Sequence, residues 1–378
     1  MTRRPLANVT RSVHHRLLTR AKKEGRPFNE LLQHYAIERF LYRLGQSPHA
    51  EKLLLKGALL LRVWHVPRAR PTMDIDVLGR TAGTPETLAD ALRDCMTADV
   101  EEDGMRYDPE SVTTDAIMRE ADYPGWRIRF KASLGNARVT MQVDVGIGDA
   151  VYPAPIWIDY PVLLDHPVPH LLAYTPENAI AEKYQAMVAR DKANSRMKDF
   201  HDVWTLAHTL EFEGVRLSGA IRKTFERRKT ELPESVPTAF TSEFYADRTK
   251  QVQWQAFLSK GLATREALSL DQAMGMLRDF LMPPPKPCVG DSRSYWYGSR
   301  VGHGSDVLKE RGDMTGTDGK TAVFARVVTE AQLANIGWVI KDGHNVRDEY
   351  SLSDGAPADA LVFEKDTRIH REGFAACP

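Results

Sequence analysis

Cysteine is scarce: the 378 residues include only Cys95, Cys288 and Cys377. Three thiols so far apart supply neither a disulfide framework nor a zinc cluster, and they fit a reducing compartment. No apolar run reaches the roughly 18 residues of a membrane helix, since LLLKGALLLRVW is broken by Lys56 and Arg62. The start, MTRRPLANVT, lacks the apolar segment of a secretory signal. An excess of one charge is missing too. Lys plus Arg is 51 and Asp plus Glu is 51, which excludes a histone-like binder but leaves room for a local basic patch. The Gly-x-x-x-x-Gly-Lys-Ser/Thr loop, the Gly-x-Ser-x-Gly elbow and His-Glu-x-x-His are all absent, which removes P-loop NTPases, serine hydrolases and zinc peptidases. His14, His15, His166 and His170 show no metal-ligand spacing and read as surface histidines. What remains is 42% hydrophobic and 27% charged, the balance of a globular protein with a sizeable core, expected in the cytoplasm. The length predicts two domains or one elaborated domain.

Residues 1–50 read as a basic helical segment. Between Arg3 and Arg43 ten Lys or Arg face three acids, Glu24, Glu30 and Glu38, and apolar residues keep helical spacing on both sides of a turn at Gly25 to Pro27. Two readings stand: a helical pair packed on the main domain with its cations in solvent, or a basic surface for a phosphate backbone. Residues 51–170 alternate helical and strand patterns, predicting a small mixed sheet covered by helices. A helix is expected over Lys52 to Trp64, a strand over Asp74 to Leu78, a helix over 84–97, and strands over 126–131 and 137–145 ending in a turn at Gly146 to Asp149. Residues 171–282 read as helical. Thr175-Pro176-Glu177 starts a helix with a capping hydroxyl, a proline and an acid near its positive end, and a second helix begins near Arg196. Pro283-Pro284-Pro285 marks a boundary. The tail, 283–378, carries 11 of the 25 glycines from residue 287 onward and three strand-like pieces, TAVFARVV, IGWVIKD and ALVFEKD, but no motif.

Chemistry concentrates at Arg70-Pro-Thr-Met-Asp74-Ile-Asp76. On a strand, Thr72, Asp74 and Asp76 project to one side. Two adjacent carboxylates repel unless a cation lies between them, so acids flanking apolar Ile75 and Val77 point to a divalent metal. Asp144, at the end of MQVDVG, is placed to add a third carboxylate from a neighbouring strand, or else is only a strand-end turn residue. Lys56-Gly57-Ala58 reads either as a small-residue turn whose N–H groups approach a phosphate or as a helix packing point. A second constellation follows: Glu182-Lys183, Arg190, Arg196, Lys198, Asp199 and Asp202. Lys183 and Arg190 are seven apart on one helix, and Asp199 and Asp202 three apart on the next. They form either a solvated salt-bridge cluster or a phosphate-binding corner with an Asp anchoring the lysine.

The ordered blocks LLLKGALLLRVW…RPTMDIDVLGR, QVDVGIGDAVYPAP…YPVLLDHPVP and TPENAIAEKYQAMVARDKANSRMKDFHDVWTLA, within residues 5 to 282, resemble the AbiEii/AbiGii-type nucleotidyltransferase toxins. The resemblance implies an α+β fold, a DNA-polymerase-β-like nucleotidyltransferase domain with a helical C-terminal half. It also implies a toxin of a bacterial toxin–antitoxin or abortive-infection (phage-defence) system. Such enzymes use Mg²⁺ and a nucleoside triphosphate, some extend the 3′ end of tRNA to block translation, and a cognate antitoxin is a partner. Carried over, Asp74 and Asp76 hold metal; Asp144, from its place at the strand end, is read as a third ligand or base. Lys183 contacts nucleotide phosphate, Arg190, Arg196 and Lys198 neutralise it, and the functional acid is Asp199 or Asp202. Relatives often have Gly-Gly or Gly-Ser after the lysine; here Gly57-Ala58 leaves Gly57 as a backbone contributor. Metal-dependent nuclease and non-catalytic nucleotide-binding relative are the alternatives.

Overall fold

The computed structural model describes residues 6–66, 72–80, 83–117, 125–261 and 268–282, and four strands within 307–347. Helices α1 (Leu6–Glu24) and α2 (Phe28–Gln46) turn at Gly25, whose φ of +65° suits a residue without a Cβ. Then come β1 (Leu53–Lys56), the short α3 (Leu60–Val63), β2 (Ile75–Gly79), α4 (Pro85–Met96), β3 (Met105–Ile117), β4 (Gly125–Leu134), β5 (Ala137–Ile147), β6 (Ile156–Asp159) and β7 (His170–Ala173). These strands form one seven-stranded mixed sheet in the order β3-β4-β5-β2-β1-β7-β6. Helices α5 (Pro176–Arg190), α6 (Met197–Thr209), α7 (Gly214–Arg227), α8 (Ser242–Tyr245), α9 (Arg248–Gly261) and α10 (Leu270–Leu281) follow. The tail holds two antiparallel pairs, β8 (Val307–Thr315) with β9 (Thr321–Thr329) and β10 (Trp338–Lys341) with β11 (His344–Arg347). Two of the strand-like tail segments are therefore strands, and ALVFEKD lies outside the described residues.

Two cores account for this arrangement. One joins the sheet to α1, α2 and α4 through Leu17, Phe40, Leu55, Val77, Phe130 and Val143. The other joins α5–α10 through Phe200, Phe225, Phe244, Trp254 and Met274, and reaches Ala58 and Leu61 beside the sheet. Each fully buried aliphatic or aromatic side chain contributes about 1.5–3 kcal/mol. Because Val13 and Leu17 are in the sheet's core, the N-terminal helices form a layer of that domain. Five of their arginines are engaged internally: Arg16 with Asp165, Arg20 with Glu24, Arg26 with Glu30, Arg39 with the Pro167 carbonyl, and Arg43 with Asp103. The basic count of that segment therefore overstates the charge it offers to solvent. Among the described residues, no helix is long and apolar enough to cross a membrane.

Several elements differ from the sequence expectation. Residues 53–56 begin a strand, not a helix: LLLK is buried throughout and pairs antiparallel with β2, and so short an apolar run has no period to distinguish the two. Strands β3, β6 and β7 were not anticipated, the last two because prolines crowd 153–169. Strand β5 continues to Ile147, and the turn falls at Gly148, φ +80°. The Thr175 hydroxyl caps no backbone N–H and accepts instead from Asn178 Nδ2. His166 packs its ring on Tyr35.

Candidate active site

The carboxylates are brought together by strand order. β2 and β5 run parallel with Asp76 level with Asp144, and β4 pairs antiparallel with β5 so that Arg127 is also level with Asp144. Asp76, Asp144 and Arg127 thus form a row across three strands. Asp74, two residues before Asp76, lies on the same side. The Arg127 guanidinium donates to both Asp144 oxygens, Nε to Oδ1 at 2.9 Å and Nη2 to Oδ2 at 2.8 Å. Burial and then repulsion by Asp144 push the Asp74 carboxyl above its usual range, against the pull of Arg127 and Lys198. Gly57 follows β1 at φ +78°, and a Cβ there would lie 2.8 Å from Cβ and Cγ of Asp76. The glycine is what lets Asp76 lie against the chain leaving β1.

Helices α5 and α6 supply the facing charges. Lys183 Nζ donates to Asp199 Oδ1 and Asp202 Oδ2, each at 2.9 Å, so the three-residue spacing does put both acids on one lysine. Asp202 is fully buried beneath it and Asp199 nearly so. Burial pushes the Asp199 carboxyl up, but Lys183 and Arg196 outweigh that and hold it well below the usual range. Both sets line one cavity of about 850 Å³, within the range of small-molecule sites. Thr72, Asp74, Asp76, Asp144, Lys56 and Gly57 border it from the sheet, and Lys183, Arg190, Arg196, Lys198 and Asp199 from the helices. Asp202 lies outside the lining, as Lys183's buried anchor.

Residues 39–276 match the family model described as nucleotidyl transferase AbiEii toxin, type IV TA system. This chain belongs to the AbiEii nucleotidyltransferase toxin family. That membership makes it a nucleotidyltransferase and the toxin of a type IV toxin–antitoxin system, with a nucleotide and a cognate antitoxin as partners. Two solved Helicobacter pylori structures are also similar, both at 11% identity: JHP933 (TM-score 0.38, 65% of this chain and 87% of that one) and a protein whose description names a nucleotidyltransferase (TM-score 0.36, 65% and 90%). Likeness at that level transfers no residue. A search of curated protein sequences finds no match.

Within this AbiEii-family cavity, Lys56 has a different setting from the one the sequence suggested. Its ammonium is buried and donates to Asp149 Oδ2 at 2.9 Å and to both Glu182 oxygens at 3.0 Å. Arg228 binds the same two acids, and the Tyr174 hydroxyl donates to Glu182. This four-charge cluster ties the sheet to α5 and to the end of α7. Lys56 is therefore placed to join the two cores, with its charge already satisfied. Sequence reasoning missed Arg127, Asp149, Tyr174 and Arg228. Only Arg127 left a usable signal: counting back from the two-residue turn Gly135-Asn136 puts it opposite Asp144. Arg228 and Asp149 meet across 79 residues of chain, which no local pattern reports.

As for a metal, no three His, Cys, Asp or Glu side chains among the described residues are gathered into a ready-made ligand cluster. The donor set nevertheless suits a hard divalent cation. Asp74 and Asp76 are carboxylates two apart on one face, and Asp74 already carries the strain of like charge from Asp144.

Proposed function

We propose that this toxin is a Mg²⁺-dependent transferase that moves a nucleoside monophosphate from a nucleoside triphosphate to RNA, at the 3′ end of tRNA, and so blocks translation. One observation carries the chemistry: a row of carboxylates on adjacent strands faces the lysine and arginines of α5 and α6 within a single cavity. Asp74 and Asp76 would hold the metal, with Asp144 as third ligand or as the base that takes the acceptor proton. Bound Mg²⁺ lowers the pKa of an attacking hydroxyl and stabilises charge on the phosphorus. The acceptor 3′-oxygen bonds to the α-phosphorus, the bond to the bridging oxygen breaks, and pyrophosphate leaves. Lys183, held on its two acids, and Arg190, Arg196 and Lys198 neutralise the triphosphate. Catalysis of this kind is positioning plus electrostatics, and the buried anchors supply the positioning.

A surface next to the cavity supports an RNA acceptor. Arg222, Lys223 and Lys229 are exposed on and just beyond α7, while Arg216 pairs with Glu177 and Arg227 donates to the Gly148 carbonyl. Just past the end of that helix, Arg228 and Thr230 line the cavity. By contrast Thr10 of α1 packs at the Gly135 turn, and Ala137 beyond it is seven residues up β5 from Asp144, about 23 Å at 3.3 Å per residue. The basic face adjoining the site is thus that of α7.

The test is incubation with Mg²⁺, total bacterial tRNA and each labelled nucleoside triphosphate in turn, beside Asp76→Ala. Label entering tRNA with one nucleotide, and lost in the variant, is the expected result. Shortened RNA without any triphosphate would replace the reading with a nuclease. Intact tRNA and no label would replace it with a non-catalytic binder.

A further inference from the structure

Arg127 has no role in the site as described so far, yet it binds the most buried of the three sheet carboxylates. Asp144 is 8% exposed at its side chain and Arg127 is 35% exposed, so the arginine is the partner with room to leave. Its neighbour along the same strand face, Arg129, bonds Asp115 and Gln142 instead. Arg127 is also attracted by Asp74 and Asp76. It is thus the sheet's own positive charge among three carboxylates. A divalent cation and a guanidinium that already holds both oxygens of Asp144 disfavour one another by like charge and compete for the same carboxylate. A guanidinium fork released there fits phosphate oxygens as well as it fits a carboxylate.

We propose that Arg127 is a displaceable counter-ion, which holds Asp144 until metal and nucleotide arrive together and then passes to the triphosphate. This rests on the metal-dependent reading above. It makes the carboxylate site a poor binder of bare metal and a good binder of metal with nucleotide, because the arginine has somewhere to go only when phosphate is present. The competing description is a plain cross-strand ion pair between β4 and β5, with no bearing on ligand binding.

Binding rather than turnover separates the two. Mn²⁺ is titrated by electron paramagnetic resonance into the full chain as wild type, Arg127→Met and Arg127→Lys, alone and with each α,β-methylene nucleoside triphosphate. Metal-free melting curves establish that each variant folds. In Arg127→Met, Mn²⁺ alone should bind about tenfold tighter, since an opposite charge in contact is worth a pK unit or more to a carboxylate. The further tightening by nucleotide should shrink by a similar factor. Arg127→Lys keeps the charge without the fork, so Mn²⁺ alone should bind as in wild type while the nucleotide effect still shrinks; it carries the test if Arg127→Met does not fold. Unchanged or weaker Mn²⁺ binding in Arg127→Met, or an undiminished nucleotide effect in both variants, overturns the proposal. Absence of Mn²⁺ binding to wild type under all conditions overturns it together with the metal reading. Intact metal–nucleotide coupling without label transfer to any RNA removes the RNA reading alone.

Discussion

Replacing Gly57 by alanine should damage the site and the fold together, through Asp76. At φ +78° an L-residue with a Cβ costs about 1–2 kcal/mol. The three atoms nearest the added methyl all belong to Asp76, with Cβ and Cγ at 2.8 Å and Oδ2 closer still. Overpacking of that kind costs about 1–3 kcal/mol, for a total of about 2–5 kcal/mol. The two contributions separate in a double-mutant cycle. With Asp76→Gly already in place the clash partner is gone, so Gly57→Ala should cost only its backbone share, about 1–2 kcal/mol. Urea unfolding of the four proteins measures this. In the wild-type background the carboxylate must also shift, and a displacement near 1 Å in such a site costs roughly a hundredfold in rate. Equal destabilisation in both backgrounds, or undiminished transfer by Gly57→Ala, would refute the argument that this glycine exists to seat Asp76.

The remaining predictions concern buried charge and the acceptor. Lys183→Met removes the cation shared by two buried carboxylates, of which Asp199 keeps Arg196, and should cost about 3–5 kcal/mol by urea unfolding, part of which Asp202→Asn restores. Because Asp199 is held below the ordinary 3.8, its contribution is present above that value and lost as pH falls through the lower folded value, which steepens acid unfolding in wild type and not in Asp199→Asn. Glu38 shows the opposite sign. Burial, only partly offset by Arg39, raises its pKa from 4.5 to about 7, so its stabilising contribution is complete below 4.5 and lost as pH rises through about 7. Glu38→Gln should therefore flatten melting temperature against pH across that window. Arg222→Glu with Lys229→Glu should weaken tRNA binding and lower its salt dependence by about one unit of slope per lost phosphate contact, with melting unchanged; a salt slope equal to wild type would remove α7 from the acceptor path.

Local chemistry accounts for what could be read without coordinates. The two-residue spacing of Asp74 and Asp76 and the short spacings of Lys183, Arg190, Asp199 and Asp202 are properties of single strands and helices, so the shared faces followed directly. Thr175-Pro176 marked a helix start that the structure places at Pro176, and the helix expected over 84–97 runs from Pro85 to Met96. That the carboxylates and the cations face one cavity depends on strand order and on two cores meeting at Ala58 and Leu61, and chain order does not encode either. The fate of individual charges was equally hidden. Lys56, Arg39 and Arg43 look like any basic residue in the sequence, yet each is buried, because an ion pair is decided by which acid the fold delivers. Composition and spacing named the candidate site residues. Only the tertiary structure decided which of them keep their charge for a ligand and which give it to a neighbour, since a Coulomb interaction depends on distance in space and not along the chain.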